Sequence, residues 1–184
     1  MSRPTHQLRH EHRVIEKVLR ALEGLCWRLE NEEATSVEAL TQTLDFLRHY
    51  ADRLHHAKEE QHLFPLLEQS GIEDENGALG FLRREHATER ELLSELELAL
   101  DEYQAGDQHA STRFVTAARQ FGEHLLHHIQ QEDALLFRLA EELLEDPDKD
   151  ELTWSLIHTQ GPIGAHEATH YEHLAEKLER AWVI

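Results

Sequence analysis

Apolar residues recur every three to four positions through most of this chain, the spacing that lines them up on one face of an α-helix. Four long segments carry such a stripe. The first runs from about Pro4 to Glu30 with Leu8, Ile15, Val18, Leu19, Leu22, Leu25 and Leu29 on one side, and Ser2 and Pro4 are its start signals. The second opens near Ser36, passes through Leu40, Leu44, Leu47, Leu54, Leu63 and Leu67, and stops at Ser70-Gly71, with Pro65 expected to bend its last turn. The third spans about 78–104 before Gly106, and the fourth about 108–145 before Asp146-Pro147. Connections this short predict antiparallel neighbours, hence an all-α, up-and-down four-helix bundle. β-Branched residues never alternate over a strand's length. Beyond the bundle, the pattern predicts a short helix near 150–158, a break at QGPIG (160–164) and a last amphipathic helix to about Trp182, together capping the bundle. One domain over 1–184 is expected, with a bundle core of about 4–145 and a helical extension of about 148–184.

Composition narrows the function. With 18 Lys and Arg against 37 Asp and Glu, the formal charge of −19 excludes polyanions, nucleic acid and anionic membrane surfaces alike, as partners. No stretch reaches the roughly 20 apolar residues of a membrane span, and the polar N-terminus MSRPTHQLRHEHR lacks the apolar stretch of a signal peptide. A cytoplasmic protein is expected. Cys26 is the only cysteine and is expected to be a small core residue. The 16 histidines stand out, because imidazole is the commonest metal ligand.

Those histidines fall into an internal repeat. RLHHAKEEQHLFPLLE resembles LHHIQQEDALLFRLAE, pairing His55 with His128, Glu59 with Glu132, Leu63 with Leu136 and Phe64 with Phe137 at a constant offset of 73. The first and third segments match at an offset of 74, pairing Leu8 with Leu82, Glu11 with Glu85, His12 with His86, and Leu22 with Leu96. Two related hairpins packed face to face give an approximate two-fold axis, and repeated inward residues then meet across the core. On a helix, residues four apart share a face, so His55 with Glu59 and His128 with Glu132 can each serve one site. The motif alone is weak, since 16 His and 28 Glu predict about two or three His-x-x-x-Glu by chance, and four occur, including His12/Glu16 and His56/Glu60. Duplication is the specific signal. Four imidazoles and two carboxylates suffice for two metals when the carboxylates bridge and small oxygen ligands complete the shells, and imidazole argues against Ca and Mg.

At these residues the chain resembles the hemerythrin-like family with the HHE cation-binding domain, bacterial single-domain type. The family pattern H…HxxxE…H…HxxxE is met at His12, His55, Glu59, His86, His128 and Glu132, and HEHRVIEKVLRALE, DFLRHYADRLHHAKEEQHLFPLLEQSGI, REHATERELL and HIQQEDALLF are similar in wording over about residues 5–143. The resemblance implies two non-haem iron ions, oxo- or hydroxo-bridged, with both glutamates bridging and the histidines terminal. It implies a small diatomic or peroxide ligand, O2, NO or peroxide, that is bound, sensed or broken down as by a catalase. The alternative is a metal storage or supply module without turnover.

Oxygen-carrying members place a second histidine one turn after the third-helix one, where Arg90 stands here, and a differently spaced aspartate where Glu132 stands. Reversible O2 carriage is therefore not expected. A replacement imidazole is sought at His124, one turn before His128, or in the last helix at His166 or His170, with His166 preferred. HEATH (166–170) also fits the His-Glu-x-x-His of zinc proteases, but without a clear third ligand that activity is set aside. His56 and Glu60, about 100° around the helix from His55 and Glu59, are expected as an outer layer or an exposed pair. Tyr50 and Arg90 are candidates to stand near the metals, with solvated or core roles preferred.

Overall fold

The structure, a computed structural model, describes residues 4–73, 77–107, 109–158 and 165–183. Six helices account for its elements: α1 (His6–Glu30), α2 (37–69), α3 (Ala78–Gln104), α4 (110–143), α5 (Asp146–His158) and α6 (Ala165–Trp182). No strand occurs among the described residues. Around the bundle, α1 packs on α2 and α4, and α3 packs on the same two.

Local signals explain most boundaries. Ser36 caps α2 by accepting from the Ala39 N–H at 3.2 Å, satisfying one orphan donor of the first turn. Gly71 (φ +95°) and Gly106 (φ +82°) take the left-handed conformation that follows a helix end, open to glycine without strain. Ser2 and the QGPIG break lie outside the described residues. Asp146-Pro147, expected as a stop, is also a start: α5 begins at Asp146 rather than near 150, because proline's missing N–H and fixed φ suit a first turn.

Three stretches depart from a plain α-helix. In α2, Leu47–His56 and Glu59–Leu63 are π-helical, and in α4 Glu132–Leu136 is too. Glu59–Leu63 and Glu132–Leu136 are repeat partners at the offset of 73; Leu47–His56 has no counterpart, since 120–129 is ordinary α-helix. Pro65 follows a π turn and the helix continues to Gln69. π-Turns arise where helix hydrogen bonding is re-registered to aim side chains, often at functional sites.

Of the two tail helices, only α5 sits at an end of the bundle. α6 lies along α1 and α2, and its Tyr171, Leu174, Ala175 and Leu178 join the same apolar cluster as Leu22, Leu44 and Phe46. The two come close at Gly24, where an added Cβ would stand 1.8 Å from the Trp182 carbonyl oxygen. α5 covers α1 and the 59–63 turn instead, placing Leu152 and Leu156 against Leu8, Leu63 and Phe137. The buried core is thus two apolar clusters, and the residues between them along each helix are polar.

Candidate metal centre

That polar layer holds His12, His55, His56, Glu59, His86, Glu89, His128 and Glu132, each no more than 3% exposed. Burying so many ionisable groups is costly unless each is paired or bound to a metal. Two groups have ligand atoms all within 4.8 Å of one another: His12, His55, Glu59 and Glu132, and His56, Glu59, His86 and His128. Glu59 belongs to both.

Most of the donor atoms face each other without a hydrogen bond, the exception being His86 Nε2 and His128 Nε2 at 3.1 Å. His12 Nε2 stands 3.3 Å from Glu132, His128 Nε2 3.3 Å from Glu132, and His86 Nε2 3.5 Å from Glu59. Yet both oxygens of Glu59 and Glu132, with the Nε2 atoms of His12 and His55 and both ring nitrogens of His56, are buried without a hydrogen bond. Orphaned donors of this kind converging on one point fit a cation.

Away from the centre, the outward ring nitrogens meet carboxylates, most of them held in turn by a cation. His12 Nδ1 is 3.1 Å from Asp133, which Arg9 and Arg13 grip at 3.2 and 2.5 Å. His55 Nδ1 is 3.0 Å from Glu11, which accepts from buried Lys58 at 2.5 Å. His86 Nδ1 is 2.7 Å from Glu60, which accepts from Arg90 at 2.9 Å, while Arg90 also donates to Asp52 at 2.6 Å. Such outer carboxylates fix the tautomer and aim the other nitrogen at a metal. Aromatic cover repeats across the two-fold axis: Phe137 stacks on His12 and Phe64 on His86, at 5.2 and 5.7 Å, with Arg9 and Arg83 over the respective rings.

The metal-free electrostatics follow from this packing. Burial alone would lower His12, but Asp133 and Glu132 override it and raise it to about 9. His86 is likewise held well above its ordinary value, Glu132, Glu59 and Glu60 outweighing burial. Glu132 stays well below the usual carboxylate range because His128, His12 and His86 overcome burial. His56 is pushed the other way, kept neutral by burial beside His86 and His128. Burial lifts Glu89 to about 7.

Of the residues singled out from the sequence, His12, His55, Glu59, His86, His128 and Glu132 come together here. His166 does not: it is exposed on α6 and belongs to neither group, because α6 lies along the outside of α1 and α2. His170 is exposed as well, edge-on to Tyr171, and His124, 23% exposed, lies 3.8 and 3.6 Å from Glu85 and Glu89. Tyr50 is buried in the apolar cluster, stacked on Phe46 and donating to Glu172 at 3.3 Å. Glu60 meets His86 Nδ1 from outside, as expected of an outer layer; His56 is buried within the second donor group rather than exposed, and Glu89 was not anticipated. Both break the repeat: the offsets of 73 and 74 pair His56 with Ile129 and Glu89 with Ile15.

A bundle with a buried histidine and carboxylate cluster between its apolar halves defines a helical metal-binding protein. The family model of the hemerythrin HHE cation-binding domain matches residues 3–140, and the chain belongs to that family. No curated protein matches the chain. Among the described residues, no helix is long and apolar enough to cross a membrane.

Proposed function

We propose that this protein holds two non-haem iron ions bridged by Glu59 and Glu132, and that the centre reacts with a small ligand, O2, NO or peroxide, in the cytoplasm. The sharing of Glu59 between two buried donor groups carries the reading, since one carboxylate with two orphaned oxygens suits a bridge between adjacent cations. Mixed imidazole and carboxylate donors disfavour Ca and Mg, and likeness to the family favours iron over zinc.

The iron pair would supply redox change and an open coordination position; the protein's part is positioning and access. Asp133, Glu11 and Glu60 hold three of the imidazoles in one tautomer each, and Phe64 and Phe137 shield His86 and His12 from the far end. On the other side a narrow cleft between α2, α3 and α4 reaches His56 and Glu89 past Asp52, Arg90, Leu93 and Phe121. Its free volume is about 10 Å³, room for about one water-sized molecule. Arg90, at the position of the oxygen carriers' extra histidine, lines that cleft and is tied to Asp52 and Glu60.

Metal analysis with the visible spectrum of oxidised protein tests the reading. Two irons per chain and the charge-transfer bands of a bridged ferric pair are expected, lost on Glu132→Ala. Zinc in place of iron, or no stoichiometric metal, would overturn it. Content above two per chain would favour storage, which the two described donor groups do not provide for. Peroxide turnover by the loaded protein, measured against the metal-free form, separates an enzyme from a sensor.

A further inference from the structure

The two hairpins repeat, but the metal positions they form are not equal. Along the repeat, His12 answers to His86, His55 to His128, Glu59 to Glu132, and Phe64 to Phe137. Where one half sets His56 of α2 against Glu89 of α3, the other sets Ile129 of α4 and Ile15 of α1, which are 1% and 0% exposed. Apolar core residues therefore occupy this place in the other half of the same fold.

His56 is buried beside two carboxylates, Nε2 3.3 Å from Glu89 and Nδ1 3.9 Å from Asp52, yet forms a well-aligned hydrogen bond with neither. Both Glu89 oxygens lack hydrogen-bond partners as well. The ring stacks on His86 at 4.0 Å and stands edge-on to His128 at 5.5 Å, within the second donor group. It also ends the π-helical stretch Leu47–His56, the one such stretch without a repeat partner. Through that stretch consecutive histidines serve opposite sides: His55 meets His12 at 4.5 Å while His56 meets His86. A histidine kept only for packing would leave two buried polar atoms unpaired where isoleucine fits at the equivalent position.

We infer that His56 is itself a metal ligand and that Glu89 positions it, so that one metal position takes three imidazoles (His56, His86, His128) and the other two (His12, His55). The inference rests on the two-metal reading of the centre. It supplies, from α2, the imidazole that Arg90 displaces from α3. Three neutral nitrogens bind a borderline cation more tightly than two, so the two positions fill in order, the three-imidazole one first.

Titrating the metal-free protein with Co(II), followed by visible absorption and by metal analysis after desalting, tests this. Wild type is expected to take two equivalents in two resolved phases. His56→Ile/Glu89→Ile, which copies the Ile129/Ile15 pair, should keep its helical circular dichroism but lose the tighter phase, binding there at least about tenfold more weakly, the least that losing even a positioning partner costs. Should that variant not fold, His56→Leu alone gives the same readout. Glu89→Gln should keep two equivalents with a weakened first phase. Two unchanged phases in the His56 variants would overturn the inference while leaving the two-metal reading intact. A wild type that takes up no second equivalent would overturn the two-metal reading and the inference with it.

Discussion

Lys58→Met tests the outer layer most directly. Lys58 and Glu11 are 2% and 1% exposed and joined at 2.5 Å, and the carboxylate also takes His55 Nδ1 at 3.0 Å and Gln7 at 2.9 Å. Burial would raise Glu11, but His55 and Lys58 hold it below its ordinary value, so the carboxylate is ionised. Methionine fills the lysine's space and removes the charge alone. Breaking a buried pair by deleting one partner costs about 3–5 kcal/mol, and because His55 and Gln7 still engage Glu11, the lower end applies, about 3 kcal/mol. For a chain of this size that lowers Tm by about 6–12 °C, read by circular dichroism on metal-free protein. Glu11→Gln/Lys58→Met keeps an acceptor for His55 and leaves no stranded charge, so it should recover most of the loss, giving a large coupling energy in a double-mutant cycle. Metal affinity should fall about 10–100-fold in Glu11→Ala, where His55 loses the carboxylate that holds its Nδ1. A stability loss below about 1 kcal/mol in Lys58→Met, the size of an exposed pair, would refute the account of this layer.

Gly24→Ala should displace the last turn of α6, since the new Cβ would meet the Trp182 carbonyl oxygen at 1.8 Å; a loss of about 1–3 kcal/mol with altered tryptophan fluorescence is expected, and an unchanged Tm would contradict the packing. A cation must displace the proton of His12, raised to about 9, so metal affinity should climb as pH rises towards that value, about tenfold per unit for each proton released. The raised histidine also stabilises the metal-free protein below its ordinary value of 6.5, a contribution lost as pH rises to about 9. Calorimetry of both forms should therefore show the metal's stabilisation widening across that window; a flat difference argues against it. His166→Ala should leave metal content and spectrum unchanged, because the residue is exposed on α6; loss of an equivalent would restore it as a ligand.

How far the site was legible depended on which physical regularity each residue obeyed. His55, Glu59, His128 and Glu132 obey the one-turn spacing of a helix face, and the hairpin repeat adds His12 and His86, so six of the buried donors could be found without coordinates. His56 could not, because an ideal helix turns it about 100° away from His55, and only the packing of α3 against that side of α2 shows that it too is buried. Glu89, three residues after His86, lies where spacing says little without its neighbour on α2.

The hydrophobic stripe determined the four long helices and their ends, since burying an apolar face is a local demand that each segment states for itself. The tertiary structure alone decided where the tail goes. Its amphipathic pattern says that α6 needs a partner but not which one; in the fold it lies along α1 and α2, with Gly24 against the Trp182 carbonyl, and His166 is left exposed. It also decided that the outer carboxylates Asp133, Glu11 and Glu60 each meet a histidine from another helix, a pairing fixed by packing and carried by no spacing along the chain.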